Sequence, residues 1–195
     1  MKHLILFARA PALGRVKRRL AAGIGDAAAW RFHVAGLRHA GALGRDRRWR
    51  AALALTPDGA RHRALPALPR LSQGRGDLGA RMAKAFRALP PGPAVLIGSD
   101  IPGVTPRHIA RAFALLGRHD AVLGPASDGG YWLIGLARRR ARAVAFGKVR
   151  WSTAHALADT RAALPRAWSV ALADMLDDVD DRAAYERWRC NPRPT

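Results

Sequence analysis

Four stretches of this chain concentrate side chains able to handle a phosphorylated molecule. The first, Ala8-Arg9-Ala10-Pro11-Ala12-Leu13-Gly14-Arg15-Val16-Lys17-Arg18-Arg19-Leu20, runs from a small-residue loop into a basic cluster at the start of a helix. Loop amides and a helix start can face an anion while Lys17 and Arg19 supply full positive charge. No Gly-Lys-Ser/Thr occurs, so this is not a Walker A loop. The second, Gly98-Ser99-Asp100-Ile101-Pro102, places an aspartate at the end of an apolar run. A carboxylate at a buried strand end is costly unless it is paired, solvated or bound to a metal, and Mg²⁺ suits a site of one or two carboxylates plus substrate phosphates. The alternative is an aspartate capping the next turn. The third, Ser127-Asp128-Gly129-Gly130-Tyr131, is either a plain hairpin turn or a carboxylate beside two bare backbone positions open to a substrate. The fourth, Leu176-Asp177-Asp178-Val179-Asp180-Asp181, crowds four carboxylates together. In an extended segment Asp178 and Asp180 share a face and can join Asp100 on a metal; alternatively the cluster caps the last helix.

Other chemistries find little support. Gly74, Gly76 and Gly79 match a dinucleotide fingerprint, with Asp100 downstream, but the preceding Leu65 to Leu71 contains Pro66 and Pro69 and makes a poor central strand. The seven histidines have no ligand spacing, and no Gly-x-Ser-x-Gly elbow is present. The single Cys190 can form neither an internal disulfide nor a cysteine zinc site.

The elements that must position these residues follow from periodicity. Strand-like apolar runs cover His3 to Ala8, Arg50 to Leu55, Ala94 to Gly98, Ala121 to Gly124, Tyr131 to Leu136 and Trp168 to Leu172. Helical spacing covers Asp26 to Leu43, Leu78 to Leu89, Pro106 to Leu116 (with Thr105 as N-cap), Ser152 to Leu164 and Asp181 to Arg189. Strands alternating with helices predict one α/β domain over residues 1–189, with a mainly parallel sheet covered on both faces and a short tail at 190–195. Ligands in such sheets sit beyond the carboxyl ends of the strands, which is where the Arg9, Asp100 and Asp128 segments fall. The chain has 195 residues, 49% of them hydrophobic, and no apolar run near the roughly 20 residues of a membrane span. It is expected in the cytoplasm. Its 34 Lys and Arg against 14 Asp and Glu give a formal +20, which favours polyanions. The arginines are spread along the whole chain, including the clusters Arg45 to Arg50 and Arg138 to Arg142, so only weak, non-specific nucleic-acid binding is expected.

Taken in order, Phe7-Ala8-Arg9-Ala10-Pro11 with Gly14 and Lys17, Gln73 to Gly79, Gly98 to Pro102, Gly124-Pro125 through Tyr131, Trp151-Ser152-Thr153 and Asp178-Val179-Asp180 resemble the CofC-like branch of the glycosyltransferase-A superfamily. Its members are often labelled nucleotide-diphospho-sugar transferases or arsenosugar-biosynthesis glycosyltransferases. The resemblance spans Met1 to about Arg189 and implies a mixed, mainly parallel sheet that binds a nucleotide in its N-terminal half. It also implies a divalent metal, Mg²⁺ or Mn²⁺, on Asp100, joined here by Asp178 and Asp180. The nucleotide is assigned to Ala8, Arg9, Gly14, Lys17, Arg19, Gly74, Gly76, Asp77 and Ser99, the acceptor to Asp128, Gly129 and Gly130, and catalysis to Lys17 and Asp100. Arg18 stands where the family usually has threonine, removing a hydroxyl from the phosphate or metal side. The activity implied is transfer from a nucleotide-activated substrate to a small-molecule acceptor, glycosyl transfer first. The alternatives are nucleotidyl transfer of a guanylyltransferase kind to a phosphorylated small acid, and nucleic-acid binding on a decayed transferase fold.

Overall fold

Each of the six apolar runs becomes a strand in the computed structural model, which describes residues 1–141 and 143–190. Strand β1 (His3–Arg9) leads through the basic loop into α1 (Arg18–Ile24) and α2 (Asp26–Leu43). Then follow β2 (Arg50–Thr56), β3 (Arg70–Ser72), α3 (Leu78–Arg87), β4 (Ala94–Gly98) and α4 (Pro106–Leu115). Last come β5 (Ala121–Pro125), β6 (Tyr131–Leu136), α5 (Ala156–Ala163), β7 (Val170–Leu172) and α6 (Arg182–Cys190). Helix α6 runs through Cys190, which is exposed, so the helix claims the first residue assigned to the tail. The rest of that tail, and Arg142, lie outside the described residues.

The strands form one sheet in the order β3-β2-β1-β4-β6-β5-β7, parallel throughout except for β6, which runs antiparallel to β4 and β5. The parallel core strands are apolar on both faces, as a sheet covered on two sides requires. Along β1, Leu4, Leu6 and Ala8 join a core with Leu37 of α2 and Phe113 of α4, while Ile5 joins a second core with Met82 and Phe86 of α3. This alternation splits the interior into two layers. Strand β3 is not among the runs that periodicity predicts; it is a three-residue edge strand, the place in a sheet where a proline-flanked segment is tolerated. Among the described residues no helix is long and apolar enough to cross a membrane.

The reversal of β6 brings its first residues to the ligand-binding edge of the sheet. Because Ile97 pairs with Leu133 and Pro125 with Tyr131, the start of β6 lies beside the carboxyl ends of β4 and β5. The chain after β7 stays beside β5: the Ala173 amide donates to the Leu123 carbonyl and the Leu176 amide to the Pro125 carbonyl. It therefore arrives at that edge as well, carrying Asp178 and Asp180.

Candidate active site

Beyond the carboxyl ends of β1, β2 and β4 lies an open cleft of about 430 Å³. Lys17 sits at its base. Its ammonium donates to Asp100 Oδ2 at 2.8 Å and to Asp180 Oδ1 at 2.5 Å, and its side chain is only 6% exposed. Lys17 is also the N-cap of α1 and has left-handed backbone angles, φ 49° and ψ 46°. A non-glycine residue there is strained unless its surroundings hold it, and here two carboxylates do. Burial works against the charge on Lys17, but the two carboxylates outweigh it and raise the pKa. Burial likewise opposes ionisation of Asp100, and the Lys17 charge overrides it to hold Asp100 below the usual carboxylate range.

Asp178 completes the cluster. One carboxylate oxygen from each of Asp100, Asp178 and Asp180 lies within 4.8 Å of the others. Asp178 is pushed up to about 7 by burial and by the charges of Asp180 and Asp100, with Lys17 opposing. One ammonium faces three carboxylates, so the cluster keeps excess negative charge and an all-oxygen donor set, which suits a hard divalent cation. The acidic run divides between two places: Asp178 and Asp180 turn to the cluster with Asp100, while Asp181 caps α6 by accepting the Ala184 amide at 2.8 Å.

Several positions brace this edge. His33 from α2 donates through Nε2 to the Arg9 carbonyl at 3.0 Å, and burial lowers its pKa. Gly36 lies so close to the Ser99 carbonyl that any side chain would collide with it, so α2 is pressed directly on the turn that presents Asp100. Gln73, fully buried, donates from Nε2 to the Ala8 carbonyl at 2.9 Å and the Ala54 carbonyl at 2.7 Å, tying β1 to β2. Its Oε1 accepts from Arg81, whose guanidinium lies 5.5 Å from the centre of the Phe7 ring.

A second cleft of about 330 Å³ shares Asp100, Asp180, Arg19 and Phe7 with the first. Tyr131, Trp132 and Trp151 form its walls with Met82, and Asp128 and Asp178 stand in it. Asp128 belongs to the β5–β6 hairpin, where its Oδ1 accepts the Gly130 amide at 2.8 Å. The hairpin alternative thus holds, and the same carboxylate still reaches a cleft. Trp132 is fixed by donating Nε1 to the Asp174 carbonyl at 2.9 Å.

Of the residues singled out in the sequence, Ala8, Arg9, Lys17, Arg19, Ser99, Asp100 and Asp180 line the first cleft. Asp128 and Asp178 line the second, and Gly130 borders a small pocket beside them. Gly129 instead forms the turn, with φ 80° and its Cα against the Ala154 carbonyl. Gly14, Gly74 and Gly76 supply left-handed turn positions (φ 69°, 70° and 106°) and Asp77 caps α3 by accepting the Ala80 amide. None of these four lines either cleft. Sequence patterns missed His33, Thr56 and Arg81 in the first cleft and the aromatic walls of the second.

A family model described as "Uncharacterized protein conserved in bacteria (DUF2064)" matches residues 39–153. A crystal structure from Desulfovibrio desulfuricans G20, described as a "putative nucleotide-diphospho-sugar transferase", is 27% identical, with a TM-score of 0.80 over 92% of this chain and 82% of that one. The Anaerococcus prevotii 4-diphosphocytidyl-2C-methyl-D-erythritol synthase is 10% identical, with a TM-score of 0.57 over 95% of each chain. Mycobacterium tuberculosis Rv0371c, in a complex with manganese, is 14% identical, with a TM-score of 0.53 over 95% of this chain and 96% of that one. The last two share the fold. No curated protein matches the chain.

Proposed function

The chain belongs to the bacterial DUF2064 family, and from that premise we propose that it is a metal-dependent transferase whose donor is a nucleotide-sugar. The observation that carries this is the placement of Lys17 and the three aspartates on the border of two clefts, one basic and one aromatic. The resemblance to the Desulfovibrio structure supports it. In this reading the first cleft takes the nucleotide, with the Arg9 and Arg15 to Arg19 segment around its phosphates. The second takes the acceptor beside Asp128 and the Gly129-Gly130 turn. Asp100, Asp178 and Asp180 would hold Mg²⁺ or Mn²⁺, which supplies positive charge next to the diphosphate when bound.

The acceptor hydroxyl attacks the sugar carbon, the bond from that carbon to the diphosphate oxygen breaks, and the nucleoside diphosphate leaves with the electron pair while the hydroxyl proton is released. Lys17 and Arg19 face the charge that grows on the leaving group, so their contribution is electrostatic and pre-positioned. The buried crosslink of Gln73 keeps β1 and β2 in register beneath the donor, and His33 fixes the Arg9 backbone.

Thermal denaturation with UDP-sugars, GDP-sugars and nucleoside triphosphates, each with and without MnCl₂, tests the proposal. A nucleotide at 100 times its Kd stabilises the fold by about 2.7 kcal/mol. A nucleotide-sugar is expected to raise Tm in a metal-dependent way, and Asp100→Asn is expected to remove the metal-dependent part while the protein stays folded. Stabilisation only by a nucleoside triphosphate would favour nucleotidyl transfer instead. Stabilisation by none, or an unchanged metal effect in Asp100→Asn, overturns the assignment.

A further inference from the structure

The two clefts that meet at Asp100 and Asp180 have opposite electrostatic character. Six basic residues line the first, Arg9, Arg15, Lys17, Arg18, Arg19 and Arg81, against Asp100 and Asp180. The second inverts this. Four of its lining residues are aspartates, at positions 100, 128, 178 and 180, and Arg19 is its one lining cation. In a chain with 34 basic and 14 acidic residues, a concavity that gathers four acids and one base runs against the composition of everything around it. Arg19 offsets little, since its side chain is 74% exposed and 4.0 Å from Asp180. With the Lys17 ammonium already on Asp100 and Asp180, a divalent cation on the triad would balance its three carboxylates and leave Asp128 as the uncompensated acid facing the cavity.

The walls are as distinctive as the charge. Tyr131, Trp132 and Trp151 present rings, and Leu78, Met82 and Ile134 present apolar surface. The rings are held in place: Trp132 through the Asp174 carbonyl, Tyr131 by the Thr160 hydroxyl at 3.3 Å, and Trp151 by packing against Gly79 and, ring to ring at 6.1 Å, against Phe146. Rigid aromatic faces bind a flat or apolar body without loss of side-chain freedom, and they attract cations as well.

We propose that the second cleft selects a small molecule without negative charge, neutral or cationic, whose ring-bearing or apolar body packs against Tyr131, Trp132 and Trp151 with its polar end towards Asp128. Its role as the acceptor rests on the transferase proposal; the charge selection rests on the cleft alone. A phosphorylated or carboxylated acceptor would be repelled by Asp128, because like charges brought together across a binding surface are strongly disfavoured. The cleft therefore argues against transfer to a phosphorylated small acid.

Three probes share a phenol ring and differ in the charge at the other end: tyramine (cation), tyrosol (neutral) and 4-hydroxyphenylacetate (anion). Ligand-observed NMR titration with magnesium chloride present is expected to show tyramine and tyrosol binding roughly tenfold or more tightly than 4-hydroxyphenylacetate, a difference of about 1.4 kcal/mol per tenfold. Asp128→Asn keeps a side-chain oxygen for the Gly130 amide and is expected to shrink that preference several-fold without loss of Tm. Trp151→Ala, if it folds, is expected to weaken all three alike. Binding of the anion as tight as the others, an unchanged preference in Asp128→Asn, or no binding by any probe overturns the inference. Nucleotide-dependent thermal shifts on the same sample separate the two proposals. A protein that prefers tyramine yet responds to no nucleotide keeps the charge selection and loses the transferase reading; one that responds to nucleotide and prefers the carboxylate loses this inference alone.

Discussion

Lys17, Asp100, Asp178 and Asp180 come from three distant parts of the chain and form one coupled unit, so substitution at one member changes the protonation of the rest. Asp178 shows the consequence most directly. Its carboxyl is pushed up to about 7, first by burial and then by Asp180 and Asp100. A group whose folded pKa exceeds its unfolded value takes up a proton on folding, so the stability it confers is complete below its ordinary value near 3.8 and is lost as pH rises through about 7. Asp178→Asn imitates the protonated form. Its Tm relative to the wild-type protein, measured without metal, is therefore expected to rise between pH 5 and pH 7.5. A difference that stays flat over that range would show that Asp178 is not held in this way. Adding Mn²⁺ is expected to stabilise the wild-type protein most at the upper end, where Asp178 is ionised. At this scale the sequence was informative where spacing alone decides geometry: the alternation of Asp178 and Asp180 along an extended segment puts both on one side. It was uninformative about Gln73 and Arg81, because a buried amide bridging two strands has no periodic signature and its partners lie 65 and 19 residues away.

Elements decide whether that unit stays assembled. Helix α2 was legible to its ends from its apolar spacing, and α4 from Thr105 and Pro106 at its start. The orientation of β6 was not legible, since an apolar run specifies a strand and leaves its direction open; only the five-residue turn at 126–130, too short for a crossover, hints at a hairpin. Helix α6 has a less visible part. Phe32 of α2 meets Tyr185 and Trp188 of α6 edge-on, with ring centres 5.7 Å and 5.2 Å apart, and Val179, 3% exposed, packs into the same cluster. Val179 is the residue between Asp178 and Asp180, so the aromatic cluster anchors the acidic segment. Trp188→Ala is expected to lower Tm by several degrees and to reduce the Mn²⁺-dependent stabilisation by nucleotide several-fold, while leaving the metal-independent part largely intact. If the metal response survives a lowered Tm, α6 supports the fold without positioning the acids.

Across the whole molecule, the surplus of arginine is broadly spread and partly engaged in structure. In the Arg45 to Arg50 cluster, Arg48 pairs with Asp46 at 2.7 Å and lies 4.9 Å over Trp49. In the Arg138 to Arg142 cluster, Arg140 pairs with Asp120 at 2.8 Å and lies 5.1 Å over Trp168, while Arg142 falls outside the described residues. A nucleic-acid protein would instead focus its charge along one groove. Binding to duplex DNA is therefore expected to be weak, about 10⁻⁴–10⁻⁶ M at physiological salt, and to fall steeply as salt rises, whereas nucleotide binding in the first cleft changes far less. Tight, sequence-selective DNA binding at physiological salt, with no nucleotide response, would reverse that ordering and overturn the transferase reading. The sheet itself ends in two very short strands, β3 and β7, of three residues each. Each edge thus offers another chain a template only about 10 Å long. Leu172, half exposed on β7, would be a seed for intermolecular pairing on a longer edge. With edges this short and a formal +20 on every copy, self-association by strand addition has neither the length to hold nor the attraction to begin.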